Sequence, residues 1–153
     1  MCLPSINCCL KLPECLDHSG CSNCVNLLEN LGNLKGLEEL YSRGTTIKEL
    51  PSSIEGLTAL TFLILNDCKN LVCLPSTTCS LKLLEFLELS RCSNCYNLPE
   101  NLGNFKGLKM FFFSGTTIKE LPSSIEGLTI VTFLILEDCK NLECLPCVIC
   151  SLK

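Results

Sequence analysis

The sequence predicts an α/β solenoid, a right-handed curved superhelix with a parallel β-sheet on its concave side and irregular or short helical segments on its convex side. Two observations support this prediction. A block of 71 residues is repeated, since GTTIKELPSSIEGLT at 44–58 returns unchanged at 115–129. Within the block, apolar residues recur every 23 or 24 residues in the pattern L-x-x-L-x-x-L-x-L-x-x-C, called the repeat frame below. A fixed period of this length is typical of stacked repeats that share one core.

The frame divides the 153 residues into repeat units of one domain, 1–153. One unit buries too few side chains to offset the entropy of ordering its own backbone, so neighbouring units must stack. The chain lacks polar capping repeats, and we expect it to be a piece of a longer array or a truncated relative of one. The partial and complete units are 1–9, 10–33, 34–56, 57–80, 81–104, 105–127, 128–151 and 152–153.

Each unit is expected to place a short strand at its L-x-L step. Leucines two residues apart point to the same side of a strand, so both enter the core and their neighbours face outward. In the unit 105–127 this predicts that Phe111 and Phe113 point inward and Phe112 outward. The return limb of most units carries Leu-Pro, as at Pro51 and Pro122, which disfavours a second strand and suits short helical backbone.

Two columns of outward residues are therefore predicted on the concave sheet. The first column lies just before each unit's first strand leucine and comprises Cys15, Glu39, Phe62, Phe86, Met110 and Phe133. The second lies between the two strand leucines and comprises Asp17, Tyr41, Ile64, Glu88, Phe112 and Ile135.

These columns contain the candidate functional site. Neighbouring strands lie about 4.8 Å apart, so the apolar members should form one continuous exposed patch. Such patches usually mark binding surfaces, although packing against another part of a longer protein would also cover this one. The candidate partner-binding residues are Tyr41, Phe62, Ile64, Phe86, Glu88, Met110, Phe112, Phe133 and Ile135.

The fifteen cysteines are interpreted as small buried residues of a cytosolic chain rather than as a disulfide scaffold. Cys68 and Cys92 share one turn position in adjacent units, which is within disulfide reach, but a reducing compartment disfavours that bond. The same frame reasoning predicts buried side chains at Cys21, Cys24, Cys68, Cys92, Cys95 and Cys139.

An alternative function is a cysteine-based zinc or thiol-redox site. Cys21-x-x-Cys24 and Cys92-x-x-Cys95 have the spacing of such sites, but both pairs fall on turns after strands instead of at a helix N-terminus. Cys144, Cys147 and Cys150 form a denser group that could also hold zinc.

The first complete unit departs from the frame. Pro13 stands at a leucine position, and His18 stands where the second inward leucine of the strand is expected. We interpret this as a degraded first repeat. The alternative is a metal site in which His18 joins Cys15 or Cys21, although their spacing fits no established template.

Other functional classes find little support in the sequence. A net charge of −4 without a basic cluster disfavours nucleic acid, and no apolar run is long enough for a membrane helix. Neither a G-x-x-x-x-G-K-[ST] phosphate loop nor a G-x-S-x-G elbow occurs. We therefore expect no enzyme, no cofactor, no metal and no small-molecule substrate.

Three phrases carry a family resemblance, namely LPSSIEGLT, LTFLILNDCKNLVCLPS and LEFLELSRCSNCYNLPENLGN. They resemble the leucine-rich repeats of plant intracellular immune receptors that carry an N-terminal TIR domain and a nucleotide-binding module. The resemblance implies a cytoplasmic or nuclear protein of innate immunity and disease-resistance signalling. It also implies a protein partner, either a pathogen effector or another domain of the receptor. Nucleotide binding and NAD cleavage are not implied, because the sequence resembles only the sensor portion; a truncated fragment without independent function is a further alternative.

Overall fold

The computed structural model describes residues 14–21, 27, 29–143 and 145, and these form a single parallel sheet of six strands in chain order. Each strand pairs only with its neighbours in sequence, which confirms the predicted solenoid with its concave sheet. The predicted partial units 1–9 and 152–153, together with Cys24 and the Cys144, Cys147, Cys150 group, lie outside the described residues. The strands are β1 Cys15–Asp17, β2 Glu39–Tyr41, β3 Phe62–Ile64, β4 Phe86–Glu88, β5 Met110–Phe112 and β6 Phe133–Ile135.

Short 3-10 helices form the opposite side of the described units. The three longest follow directly on Pro51, Pro75 and Pro122, whose φ angles lie between −66° and −62°. Proline fixes φ in this range and cannot donate to a second sheet, so the return limb coils instead of pairing. The five helices are Leu31–Asn33, Ser52–Gly56, Ser76–Ser80, Leu102–Asn104 and Ser123–Gly127.

The core lies between the sheet and these helices, at the leucine positions of the frame. Leu87 and Leu89 are fully buried, whereas their outward neighbours on β4 are partly exposed. Phe111 and Phe113 are also fully buried, with ring centroids 4.6 Å apart, while Phe112 faces outward as expected. The period-two pattern thus assigns the strand faces correctly.

The turn after each strand is built by one backbone geometry. In three units the residue with positive φ is a glycine, namely Gly20, Gly44 or Gly115. In the other three units it is Asp67, Arg91 or Asp138, with φ of 61°, 62° and 56°. The left-handed region suits glycine best and tolerates aspartate better than most residues. The turn reverses the chain out of the sheet toward the return limb.

Buried thiols satisfy backbone carbonyls beneath these turns. Cys68 donates to the carbonyl of Ser42 at 2.9 Å, and Cys92 donates to that of Leu65 at 3.1 Å. Each acceptor lies at the end of the preceding strand, so the thiols connect consecutive units. The predicted burial of Cys68 and Cys92 is confirmed, and both are free thiols.

The predicted burial fails at the two ends of the array. Cys21 is exposed, which makes the prediction wrong there, and Cys139 is only partly buried. Cys21 follows β1, and the described residues contain no earlier strand whose carbonyl it could reach. The burial of a turn cysteine therefore depends on a neighbouring unit, which the frame position alone does not supply.

Candidate protein-interaction site

The register of the sheet places the predicted outward residues in two straight columns. In the first column Glu39 lies opposite Phe62, and Phe62 lies opposite Phe86. In the second, Glu88 lies between Ile64 and Phe112. All nine candidate residues named from the sequence thus lie on one face of five consecutive strands; that they bind a partner remains a prediction.

Aromatic rings connect the two columns. Phe86 lies 5.7 Å from Phe62 and 5.2 Å from Phe112, measured between ring centroids, with both pairs inclined by 30°. Phe133 on the last strand is 55% exposed. These side chains belong to one partly exposed surface, which we call the apolar patch; it consists of Phe62, Ile64, Phe86, Met110, Phe112, Phe133 and Ile135.

The remaining two candidate residues give the surface its polar contacts. The Tyr41 hydroxyl donates to Oε2 of Glu39 at 3.1 Å. This hydrogen bond raises the pKa of the Tyr41 phenol, and the nearby negative charges of Glu39 and Asp17 act in the same direction. Glu88 accepts a hydrogen bond from the backbone N–H of Ser90 at 2.9 Å. Tyr41 therefore borders the apolar patch, whereas Glu88 is a carboxylate held within it.

Sequence reasoning missed a group of carboxylates at the β1 and β2 end of the sheet, two on the strands and two on the border just before them. Carboxylates occur at the first-column position or just before it in the first two described units, and one more occurs in the second column of β1. This set, which we call the acidic end, consists of Glu14, Asp17, Glu38 and Glu39, of which all but Glu39 are well exposed. The signal in the sequence is a glutamate just before the first-column position in two successive units, at Glu14 and Glu38.

Ion pairs border the sheet on both sides. Asp67 lies 3.9 Å from Nε of Arg43 and 3.9 Å from Nη1 of Arg91, so both guanidiniums have a carboxylate neighbour at the turns after β2 and β4. On the opposite border Lys109 pairs with Glu85 at 2.8 Å. The strands themselves, as described, carry three carboxylates and no lysine, arginine or histidine.

The burial of Cys92 and Cys95 disfavours redox chemistry at this pair. Burial raises the pKa of Cys92 above its ordinary value and that of Cys95 to about 12, so neither thiolate forms near neutral pH. A thiol-redox pair requires the opposite shift. Within the described part of the chain, no group of three or more histidine, cysteine, aspartate or glutamate side chains is arranged to hold a metal ion.

His18 is a buried polar residue rather than an exposed ligand. Its side chain is 8% exposed, and Nε2 lies 2.8 Å from the hydroxyl of Ser42 in the next unit. Burial lowers the pKa of the imidazole, and the adjacent Asp17 carboxylate opposes part of that effect. The structure thus gives His18 a hydrogen-bond partner, whereas Cys15 and Cys21 are exposed.

In the part of the chain that the structure describes, no helix is both long and apolar enough to cross a bilayer.

The sequence is similar to leucine-rich repeat regions and to plant disease resistance proteins. A family model described as "Leucine-rich repeat region" matches residues 10–109. A probable disease resistance protein of Arabidopsis thaliana is 40% identical over 140 residues, which cover 87% of this chain and 7% of that protein. The TMV resistance protein N of Nicotiana glutinosa is 39% identical over 147 residues, covering 94% of this chain and 13% of that protein. The chain therefore spans only a small fraction of the length of these relatives.

Solved structures match the fold. The leucine-rich repeat domain of the type III effector XopL superposes with a TM-score of 0.75 at 25% identity, covering 86% of this chain and 46% of that chain. The functional domain of InlJ from Listeria monocytogenes superposes with a TM-score of 0.66 at 18% identity, covering 86% of this chain and 26% of that chain. That domain includes a cysteine ladder. At that identity the second likeness concerns the fold alone.

Proposed function

Because this chain belongs to the leucine-rich repeat family, we propose that it is a non-catalytic protein-recognition module of a plant intracellular immune receptor. The observation that carries the proposal is the ring contact series from Phe62 through Phe86 to Phe112 on a partly exposed sheet face. Monomeric proteins seldom leave contiguous aromatic surface in water, and aromatic anchors often dominate protein interfaces.

The residues that we propose to contact the partner follow from their place on this face. The apolar patch supplies buried area, and its aromatic rings are rigid enough to be held without a large loss of side-chain entropy. Tyr41 and Glu88 supply hydrogen-bonding groups that orient the partner. The proposed contact residues are Tyr41, Phe62, Ile64, Phe86, Glu88, Met110, Phe112, Phe133 and Ile135.

The partner is either a pathogen effector or another domain of the receptor, and the module acts in the cytoplasm or nucleus during defence signalling. The support for this finer proposal is the sequence similarity to two disease resistance proteins over most of this chain. This chain covers 7% and 13% of those two proteins, so the proposal concerns recognition and not their whole activity.

The proposal is tested by peptide selection against the purified chain under reducing conditions. A display library of random peptides about 16 residues long covers about 24 Å as a helix, close to the width of six strands. Peptides are selected on the wild-type chain and each is then measured against Phe86→Asp/Phe112→Asp. We expect the strongest binders to lose about 100-fold or more in affinity on this double variant.

The matched control places the same changes elsewhere. Leu83 and Tyr96 are 55% and 48% exposed and lie outside the strands, so Leu83→Asp/Tyr96→Asp adds the same charge without touching the columns. Circular dichroism must remain at the wild-type level for both variants. If no selected peptide distinguishes the two double variants, the concave face is not a recognition surface and the proposal is overturned.

A further inference from the structure

We infer that the concave face selects a partner segment that is basic at one end and apolar along the rest, lying across the strands with its basic end over β1 and β2. This inference rests on the proposed function and adds the chemistry of the partner. It follows from an uneven distribution of charge along the sheet, which the repeat pattern alone does not require.

The basic end of the partner is specified by the acidic end of the sheet. Glu14, Asp17 and Glu38 are exposed, and Glu39 is partly exposed beside Tyr41. Backbone hydrogen bonding fixes part of this charge, because the N–H of Ser19 donates to Oδ1 of Asp17 at 2.8 Å and lowers the pKa of that carboxyl group. The Asp17 carboxylate is therefore held in its charged form.

No cation on the strands cancels this charge. The strand residues described above include no lysine, arginine or histidine. Of the cations just outside the strands, Arg43 has Asp67 at 3.9 Å, and Lys109, which precedes β5 as Glu38 precedes β2, has Glu85 at 2.8 Å. Carboxylates grouped on one concave surface reinforce one another and attract a complementary charge during encounter. A basic segment meets this requirement, whereas an acidic segment would be repelled.

The apolar remainder of the partner is specified by β3 to β6. Every outward strand residue there is apolar except Glu88. These four strands cover about 15 Å across the sheet, which corresponds to about five residues of an extended segment or about ten residues of a helix. Glu88 lies between Ile64 and Phe112. The apolar part of the partner segment therefore includes one hydrogen-bond donor for this carboxylate, from a lysine, an arginine or an amide side chain.

The test uses the peptides selected on the wild-type chain that depend on Phe86 and Phe112. We expect lysine and arginine to be enriched at one end of these peptides and apolar residues along the rest. Glu38→Lys/Glu39→Lys should weaken their binding about tenfold or more, because it reverses two charges at the acidic end. Raising the salt from about 50 to about 500 mM should weaken wild-type binding by a similar factor.

The control changes the same number of charges away from the sheet. Glu55 and Glu126 are exposed on the Ser52–Gly56 and Ser123–Gly127 helices, and Glu55→Lys/Glu126→Lys should alter affinity by no more than about twofold. Should the Glu38/Glu39 reversal fail to fold, Glu38→Gln/Glu39→Gln removes the charge with nearly the same side-chain shape and should still weaken binding measurably.

The possible outcomes distinguish failure of this inference from failure of the proposed function on which it rests. Peptides that depend on Phe86 and Phe112 but are neutral or acidic, or that bind Glu38→Lys/Glu39→Lys as well as wild type, would overturn the charge selection and leave protein recognition intact. Absence of any peptide that depends on the two phenylalanines would overturn both. Enrichment of basic, apolar peptides with the expected loss on charge reversal supports the inference.

Discussion

The rings of Phe86 and Phe112 contact each other diagonally across two strands, with centroids 5.2 Å apart. In the strict register Phe86 lies opposite Met110 and Phe112 lies opposite Glu88, so the two rings belong to different columns. Diagonal contacts of this kind lie within reach of aromatic side chains in a sheet. The contact joins the two columns into one continuous surface, which a set of separate side chains would not provide.

The assigned strand faces predict that substitutions at two adjacent residues lower the free energy of unfolding by very different amounts. Leu87 is fully buried, so Leu87→Asp places an unpaired carboxylate in the core and should lower the free energy of unfolding by about 4 kcal/mol. Phe86→Asp loses mainly ring contacts on an exposed face and should cost about 1 kcal/mol. Urea denaturation followed by circular dichroism measures both. Equal destabilisation by the two changes would contradict the assigned faces.

Close backbone contact between 3-10 helices predicts a position that only glycine can occupy. A Cβ at Gly103 would overlap the carbonyl oxygen of Ser124, whereas one at Gly36 would meet no atom within 4 Å. Gly103→Ala should therefore destabilise the chain by about 2–4 kcal/mol. Gly36→Ala should leave stability unchanged or raise it by up to about 1 kcal/mol. Similar thermal midpoints for the two variants would show that the helices do not approach as described.

Burial of His18 predicts a loss of stability on mild acidification. Because its pKa in the folded chain lies below the ordinary value of 6.5, the unfolded chain takes up the proton first as the pH falls. The contribution of His18 is thus complete above about pH 6.5 and declines below it. Urea midpoints at about pH 7.5 and about pH 5.5 measure this effect.

His18→Gln is the control for that titration. The chain contains one histidine, so removing it should flatten the dependence in this interval, in which the other side-chain types are ordinarily far from their pKa values. If the variant keeps the wild-type slope, the pH dependence has another source and His18 is not held neutral in the folded chain.

The buried thiols predict selective alkylation. Burial raises the pKa of Cys79 to about 12 and that of Cys95 to about 12, and Cys92 is shifted in the same direction. Iodoacetamide should therefore label exposed Cys21 in the native chain and label these three only after unfolding. Peptide mass spectrometry reads each site. Native labelling of Cys92 or Cys95 at the rate of Cys21 would revive the thiol-redox alternative.

The strands and the two columns could be predicted from the sequence because both depend on local periodicity. A leucine at every second position fixes which side chains face the core, and a constant repeat length fixes which residues become neighbours in the sheet. This reasoning placed Phe112 outward between two buried phenylalanines, as the structure has it.

Features that depend on a neighbouring unit were not predictable in the same way. The frame gives Cys21 and Cys92 one position, yet Cys92 is buried against the carbonyl of Leu65 and Cys21 is exposed. The hydrogen bond between Ser42 and His18 likewise depends on the actual distance between two units. The diagonal contact of Phe86 with Phe112 depends on side-chain rotamers, which periodicity does not determine.

The central claim is that the concave face binds a protein segment through its aromatic side chains. The most direct test is the dissociation constant of the tightest selected peptide, labelled with fluorescein, for the wild-type chain, Phe86→Asp/Phe112→Asp and Leu83→Asp/Tyr96→Asp. We predict a loss of about 100-fold or more for the concave variant and a change of no more than about twofold for the control, with unchanged circular dichroism. Equal affinity of the wild-type chain and the concave variant would contradict the claim.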